Sequence, residues 1–285
     1  MLLIAGTVPI KNLPLTIGKV NKKEDILTIN EHNIPCNQGS GAMIGSALIT
    51  TEYFGLDRPV AIIAGDVGDG KGSRKIYNYL TEHIANLYPE VVALHYCMPY
   101  MGLTKKLCKA IEECQKKPII IADAGSMYSA KASGMAKYFD IFTPDASEIA
   151  FLADPNATHP AYISRHLFDT DVYQTPRLAK IAYQGGGAAK LLLVKGSIDY
   201  IVFEGEILDT ITEPNIPALE AIGGTGDTIT GLVSGLTYAG FGLQEAATIA
   251  ARTNRLAGKY AKANLATRVS QIINQIPTAL YKINP

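Results

Sequence analysis

This 285-residue sequence lacks an excess of charge of either sign: Lys+Arg and Asp+Glu number 26 each, so the formal net charge is zero. A balanced chain sets up no long-range field toward nucleic acid or an anionic membrane. Neither is expected as a partner, and any phosphate site must be built locally. Long hydrophobic runs are missing as well. The apolar start, residues 1–6, is soon followed by Pro9 and Lys11 and is too short for a secretory core. No later run approaches the ~18 uninterrupted apolar residues of a membrane helix. The expectation is a soluble, cytoplasmic protein.

Cysteine is sparse. Cys36, Cys97, Cys108 and Cys114 show no CxxC spacing, which argues against a disulfide framework and against a thiolate metal site. His32, His83, His95, His159 and His166 do not cluster at ligand spacing and read as surface or satisfied core residues. Nothing points to a Ser-His-Asp hydrolase. With no internal repeat, low-complexity tract or linker, residues 1–285 read as a single domain.

What is present is apolar content of 47% against 18% charged residues, a balance that suits buried parallel strands covered by helices. Short apolar runs at 2–5, 59–64, 91–95, 118–122, 141–143 and 190–194 alternate with helical patterns, the form of repeated βαβ units. The helical patterns cover 45–54, 73–87, 104–115, 126–138, 175–183, 227–239 and 244–263. Residues 199–203 and 207–211, separated by Glu204-Gly205-Glu206, read as an antiparallel hairpin at one edge. Residues 154–175 lack periodicity and read as a loop or an inserted element.

The sharpest feature is Ala221-Ile222-Gly223-Gly224-Thr225-Gly226-Asp227, opening a helix whose apolar face carries Ile229, Leu232, Val233 and Leu236. Gly231 and Gly235 lie on another stripe, where a neighbouring backbone could come close. Amides of Gly224, Thr225 and Gly226 at a helix N-terminus form an anion hole, with a partial charge of roughly half a unit behind it. Asp227 there suits a base that takes a hydroxyl proton as the oxygen attacks phosphorus. A tight turn with Asp227 as a simple cap is the plainer alternative. Thr143-Pro144-Asp145-Ala146-Ser147-Glu148 follows a strand, where open α/β sheets bind ligands. Glu148, with Asp145, could hold Mg²⁺ through water, or the two could merely cap a helix.

The run Gly223 to Leu232 resembles the C-terminal signature of the ribokinase-like superfamily. Its doubled glycine with Thr225 is most similar to the NAD(P)H-hydrate dehydratase or carbohydrate kinase branch. Asp123 at a strand end, Thr143 to Glu148, and Leu193-Val194-Lys195-Gly196 follow the family's order. The resemblance implies a three-layer α/β/α sandwich with a mainly parallel central sheet, ATP or ADP with Mg²⁺, and a small-molecule substrate. It also implies nucleotide binding at Lys195, Gly196 and Asn254. Substrate is expected at Gly39, Ser40, Gly41, Asp66 and Asp123, the first three and Asp66 lying in glycine-rich loops that bring backbone near a ligand.

Two departures bear on the substrate. Thr7-Val8-Pro9-Ile10 offers no acidic residue for sugar hydroxyls. Ile121 stands where dehydratases usually carry the first of two paired aspartates, and Asp145-Ala146-Ser147 replaces the middle of a Pro-His-Pro-Gly-Glu-like phrase. The leading expectation is therefore an ATP-dependent kinase acting on a small-molecule hydroxyl, with Asp227 as base. The alternatives are an ADP- or ATP-dependent NAD(P)H-hydrate dehydratase and a non-catalytic nucleotide-binding protein. Asp227 argues against the last, because a carboxylate beside phosphate costs a pure binder affinity. Apolar helices leave a homo-oligomer open.

Overall fold

Strand β1 (Leu2–Val8) is buried at every position, as a parallel strand covered on both faces should be. The rest of the sheet is built around it in a computed structural model that describes residues 1–157 and 172–285. A meander follows β1: β2 (Thr16–Lys23), β3 (Ile26–Ile29) and β4 (His32–Pro35). Strands and helices then alternate through α1 (Ser40–Tyr53), β5 (Val60–Gly65), α2 (Lys71–Leu87), β6 (Val91–His95), α3 (Met101–Glu112), β7 (Ile119–Ala122), α4 (Ala124–Ala132), β8 (Ile141–Phe142), α5 (Ala146–Ala153), α6 (Thr175–Gln184) and β9 (Leu191–Val194). The hairpin β10 (Asp199–Phe203) and β11 (Glu206–Ile211) precedes α7 (Ala218–Ala221), α8 (Thr225–Tyr238), α9 (Leu243–Tyr260), α10 (Val269–Ile273) and α11 (Ile276–Ile283).

Among the described residues the strands form one 11-stranded sheet in the order β11-β10-β9-β8-β7-β6-β1-β5-β2-β3-β4. The run from β5 through β1 and β6 to β9 is parallel. Both edges are antiparallel. Alternate strand residues feed two cores, because successive side chains leave a strand on opposite faces. Leu2, Ile4, Ile63 and Ala93 meet α1, α8, α9, α10 and α11 on one side. Leu3, Ala5, Ile62 and Val92 meet α2 to α6 on the other. The expected three-layer α/β/α sandwich is therefore the architecture. No helix of the described residues is long and apolar enough to cross a membrane.

The strand and hairpin expectations match, and the meander β2–β4 adds three strands over residues 16–35. In β2 only Thr16 and Val20 are buried, so lysines and Asn21 hide the period of two. Helix α1 begins at Ser40 rather than residue 45, and the helix expected over 126–138 stops at Ala132, before Gly134 with φ +72°. The short helices α10 and α11 were also not anticipated. Of the aperiodic stretch 154–175, residues 158–171 lie outside the described residues, and so do His159 and His166.

The glycine stripe on α8 has a packing cause. A Cβ at Gly231 would collide with the Met43 carbonyl oxygen and Ser46 Oγ of α1, and one at Gly235 would stand 2.8 Å from Thr50 Cβ. Backbone meets backbone here, so relief requires moving a helix. Gly231→Ala is expected to cost about 1–3 kcal/mol of stability, read as a lower denaturation midpoint. Gly102 of α3 has open space around a built Cβ, so Gly102→Ala serves as the control that leaves the midpoint unchanged or slightly raised. Equal midpoints for Gly231→Ala and wild type would show that α1 and α8 are not locked together.

Candidate active site

At the carboxyl ends of β6 to β9 the chain leaves a cavity of about 600 Å³ whose lining includes Asp123, Asp145, Glu148, Lys195, Thr225, Gly226 and Asp227. Tyr96, Asp123, Asp145 and Lys195 of its wall come just after β6, β7, β8 and β9, and the carboxyl ends of parallel strands are where open α/β sheets hold ligands. The N-terminus of α8 faces this space. Its cap is Gly224 at φ +100°, with no capping side chain. The first-turn amides of Gly226 and Asp227 have no carbonyl one turn behind them inside the helix, whereas Thr225 N donates to Ile222 O at 3.4 Å. A Cβ at Gly224 would stand 2.9 Å from Asn37 O, so position 224 needs glycine for both its dihedral and its space.

Asp227, in that first turn, is gripped through both carboxylate oxygens. Gly39 N donates to Oδ2 at 2.6 Å, and His95 Nε2 lies 3.0 Å from Oδ1. Burial works against the ionised form, but the His95 hydrogen bond and charge, Lys195 and the Gly39 amide prevail and hold its carboxyl below the usual aspartate range. Behind His95, Nδ1 lies 3.1 Å from Ser40 Oγ, which donates to Thr7 O at 2.8 Å.

Asp123 ends β7 and is buried. Its Oδ2 accepts from Lys195 Nζ at 2.9 Å and from Thr230 Oγ1 at 2.6 Å, while Oδ1 accepts from Ala124 N. Burial opposes the Lys195 charge, yet Asp123 and Glu148 outweigh it and raise the ammonium above the usual lysine range. His95, Asp123 and Asp227 bring metal-ligand atoms within 4.8 Å of one another. The Lys195 ammonium already stands against Asp123 as the local cation. Tyr96 and Ala124, immediately after His95 and Asp123, adopt left-handed φ of 52° and 50°, a conformation that costs non-glycine residues of order 1 kcal/mol and gathers at functional sites.

Asp145 and Glu148 form a capping box on α5. Asp145 Oδ1 accepts from Ser147 N and Glu148 N, and Glu148 Oε2 accepts from Asp145 N at 2.8 Å. Tyr128 donates its hydroxyl to Glu148 Oε1. Both acids also line the cavity, so the capping box is part of its wall. Burial, then Asp145 and Asp123, push the Glu148 carboxyl up to about 8.

The structure thus gathers Thr225, Gly226, Asp227, Lys195, Gly196, Asp123, Asp145, Glu148 and Asn254 around one space, whereas Gly224, the cap of α8, stands outside the lining. Asn254 is occupied within that wall: Oδ1 accepts from Thr228 Oγ1 at 2.6 Å and Nδ2 donates to Thr225 O at 3.2 Å. It buttresses the start of α8. Gly39, Ser40 and Gly41 stand behind Asp227 and His95 rather than in the cavity lining. Gly41 lets α1 pass the Pro35 carbonyl. Asp66 is not in the lining either, because its carboxylate is spent on Gly68 N, Gly70 N, Ser73 N and Ser73 Oγ at the start of α2.

Some site residues escaped the sequence reading. His95 was grouped with the scattered histidines, and Arg255 had no reading. Arg255 pairs with Asp199 at 2.7 Å and donates to Gly196 O and Ser197 O, fixing the loop after β9. Its position beside Asn254 was the available signal.

Comparison with known proteins identifies the family. The family profile described as NAD(P)H-hydrate dehydratase matches residues 99–278. The uncharacterized protein MJ1337 of Methanocaldococcus jannaschii is 42% identical over 238 residues, covering 84% of this chain and 98% of that one. The bifunctional NAD(P)H-hydrate repair enzyme Nnr of Pyrobaculum aerophilum is 28% identical over 65% of this chain but only 34% of its own length. Among solved structures, a ribokinase-like superfamily protein of Enterococcus faecalis superposes with a TM-score of 0.58 at 16% identity, covering 98% of this chain and 86% of that one. The ADP/ATP-dependent NAD(P)H-hydrate dehydratase of Bacillus subtilis, co-crystallized with ATP and Mg²⁺, gives 0.56 at 16% identity, covering 99% and 91%. At such identities the superpositions establish the ribokinase-like fold, and the profile match supplies the family. The chain belongs to the NAD(P)H-hydrate dehydratase family and has a ribokinase-like fold.

Proposed function

We propose that this enzyme dehydrates a hydrated, reduced nicotinamide nucleotide, using ATP or ADP as the phosphoryl donor. The observation that carries the reading is Asp227, held ionised by His95 and Gly39 beside the uncapped N-terminus of α8, in a chain whose family is described by that reaction. The family match favours this alternative over the plain kinase expected first. Its partners are small molecules, and a cytoplasmic setting suits them.

The chain's own residues account for the first step. Asp227 takes the proton of the substrate hydroxyl as that oxygen attacks the terminal phosphorus of the donor. The amides opening α8 and the Lys195 ammonium stabilise the charge on the transferred group, positioned before the reaction begins. The products of this step are a phosphate ester and the shortened nucleotide. Ester formation turns a poor leaving group into a good one. The carbon–oxygen bond then breaks, phosphate departs with the electron pair, and a proton lost from the neighbouring carbon restores the ring's double bond.

Asp145 and Glu148 would hold Mg²⁺ through water. The fit rests on Glu148, whose charge is opposed by burial, by Asp145 and by Asp123, a crowding that a divalent cation relieves. When bound, Mg²⁺ supplies neutralisation of phosphate charge. A hydroxyl kinase is the second reading, favoured by Ile121 and by Asp145-Ala146-Ser147, which depart from the dehydratase phrases. Both reactions share the first step and differ in the fate of the ester.

Incubating the protein with hydrated NADH, ATP and Mg²⁺ should regenerate NADH absorbance and release inorganic phosphate. A stable phosphate ester without NADH would establish the kinase instead. Asp227→Asn should lower turnover by about two to four orders of magnitude, with the nucleotide dissociation constant within about threefold of wild type. Unchanged turnover would remove Asp227 from the chemistry. Glu148→Gln preserves shape and should raise the Mg²⁺ concentration for half-maximal rate by about 10- to 100-fold. Superimposed Mg²⁺ titrations of the two proteins would leave Glu148 as a cap only.

A further inference from the structure

His95 is fully buried at the end of β6, yet its ring connects the cavity to the core. Nε2 meets Asp227 Oδ1 at 3.0 Å, and Nδ1 meets Ser40 Oγ at 3.1 Å. Ser40 Oγ reaches Thr7 O at 2.8 Å, and Thr7 Oγ1 donates to Tyr96 O at 2.6 Å, returning to the residue beside His95. An ionised carboxylate has no proton to donate, so Nε2–H is the donor to Asp227. The ring cannot swing freely, because Ser40 braces its far nitrogen.

We propose that His95 is a positioning residue for Asp227: its Nε2–H aims the carboxylate at the cavity and stabilises the ionised form that accepts the substrate proton. The proposal rests on Asp227 being the base, as argued above. A Ser-His-Asp nucleophilic triad has the same residue types in the opposite sense. There the serine faces substrate and the carboxylate is buried behind the histidine. In this site Ser40 is only 2% exposed, whereas the Asp227 side chain is 15% exposed and lines the cavity. The reactive end of the chain is therefore the carboxylate.

The charges around the ring support the same assignment. Asp227 faces it from α8, and Asp123 from the end of β7 at 3.7 Å. Ser40 comes from α1 and Thr7 from β1, and the Tyr96 ring packs edge-on at 4.5 Å. Lys195 compensates Asp123 at 2.9 Å, so the imidazole is the side chain left to hold Asp227. Without its hydrogen bond, burial would act on Asp227 with less opposition and its carboxyl would titrate higher.

Two substitutions separate positioning from packing. His95→Leu removes the donor, and His95→Gln keeps an amide N–H near the place of Nε2. Asp227 works ionised, so the rate fails as pH falls through its pKa. In His95→Leu that acid limb should move to higher pH, with maximal turnover down roughly 10- to 100-fold and nucleotide KM little changed. His95→Gln should restore the wild-type limb and part of the rate. A uniform loss at all pH values with the limb unmoved would overturn the proposal.

A substrate-free measurement distinguishes this idea from the reaction it rests on. Carboxyl ¹³C NMR of the nucleotide-free protein, with Asp227 assigned through Asp227→Asn, should show its midpoint raised in His95→Leu and restored in His95→Gln. That shift in a protein inactive toward hydrated NADH would uphold His95 as the partner of Asp227 and reject the functional reading. An unmoved midpoint would reject His95 whatever the reaction. If His95→Leu does not fold, Ser40→Ala removes only the brace and should move the midpoint in the same direction by a smaller amount. No shift there, with His95→Gln also unlike wild type in rate alone, would count against the proposal.

Discussion

Negative charge crowded into one shielded space is the constraint that shapes the rest of this molecule. Asp123, Asp145, Glu148 and Asp227 all line a single cavity, and buried carboxylates repel each other and lose hydration. The fold answers each differently. Asp123 receives a lysine and a threonine hydroxyl, and Asp227 receives an imidazole and a backbone amide. Asp145 takes the amides of α5. Glu148 receives two donors and feels Lys195 only at a distance, and its carboxyl is pushed up to about 8. The remaining deficit of positive charge sits on the Glu148 side, and the surplus of donors at the start of α8. A phosphate chain accompanied by a divalent cation matches both, anion toward the helix and cation toward the acids.

Those donors come from well-separated parts of the chain, and their common location follows from topology. Parallel strands end on the same side, so residues directly after β6, β7, β8 and β9 share one edge. Lys195 follows β9, Asp123 follows β7 and His95 ends β6, while α1 and α8 bring Gly39 and Asp227 over the same edge. The backbone bends sharply as it leaves β6 and β7, with left-handed Tyr96 and Ala124. That turn leaves His95 and Asp123 side by side, 3.7 Å apart, while Tyr96 and Ala124 join the cavity wall.

This arrangement also explains what the sequence disclosed and what it withheld. The glycine turn, Asp227 and the amphipathic face of α8 were legible because their relations are local: amide, dipole and carboxylate lie within one helical turn. The parallel strands were legible because burial on both faces leaves unbroken apolar runs. His95 was not, since its partners Ser40 and Asp227 are 55 and 132 residues away and a strand-end histidine looks the same with or without them. Asp66 shows the opposite failure. A carboxylate among glycines resembles a ligand site, but those glycines present their amides to Asp66 itself. Meander β2–β4 was hidden because its outer face is polar and Gly18 interrupts β2.

The packing glycines and Asp227 solve one geometric problem. Gly39, the cap of α1, lies one turn before Met43 and accepts its amide, as Asp227 lies one turn before Gly231 on one face of α8. The Gly39 amide reaches Asp227 at 2.6 Å, and one turn further on the Met43 carbonyl comes against Gly231. A side chain at position 231 would hold the helices apart, and a hydrogen bond of that length weakens steeply once its partners separate. Ser46, a further turn-length along α1, ties the pair again through Thr228 O at 2.9 Å. The absence of a side chain in the middle of α8 is thus part of what keeps the carboxylate at its start in place, and core packing and the placement of Asp227 cannot be varied independently at this contact.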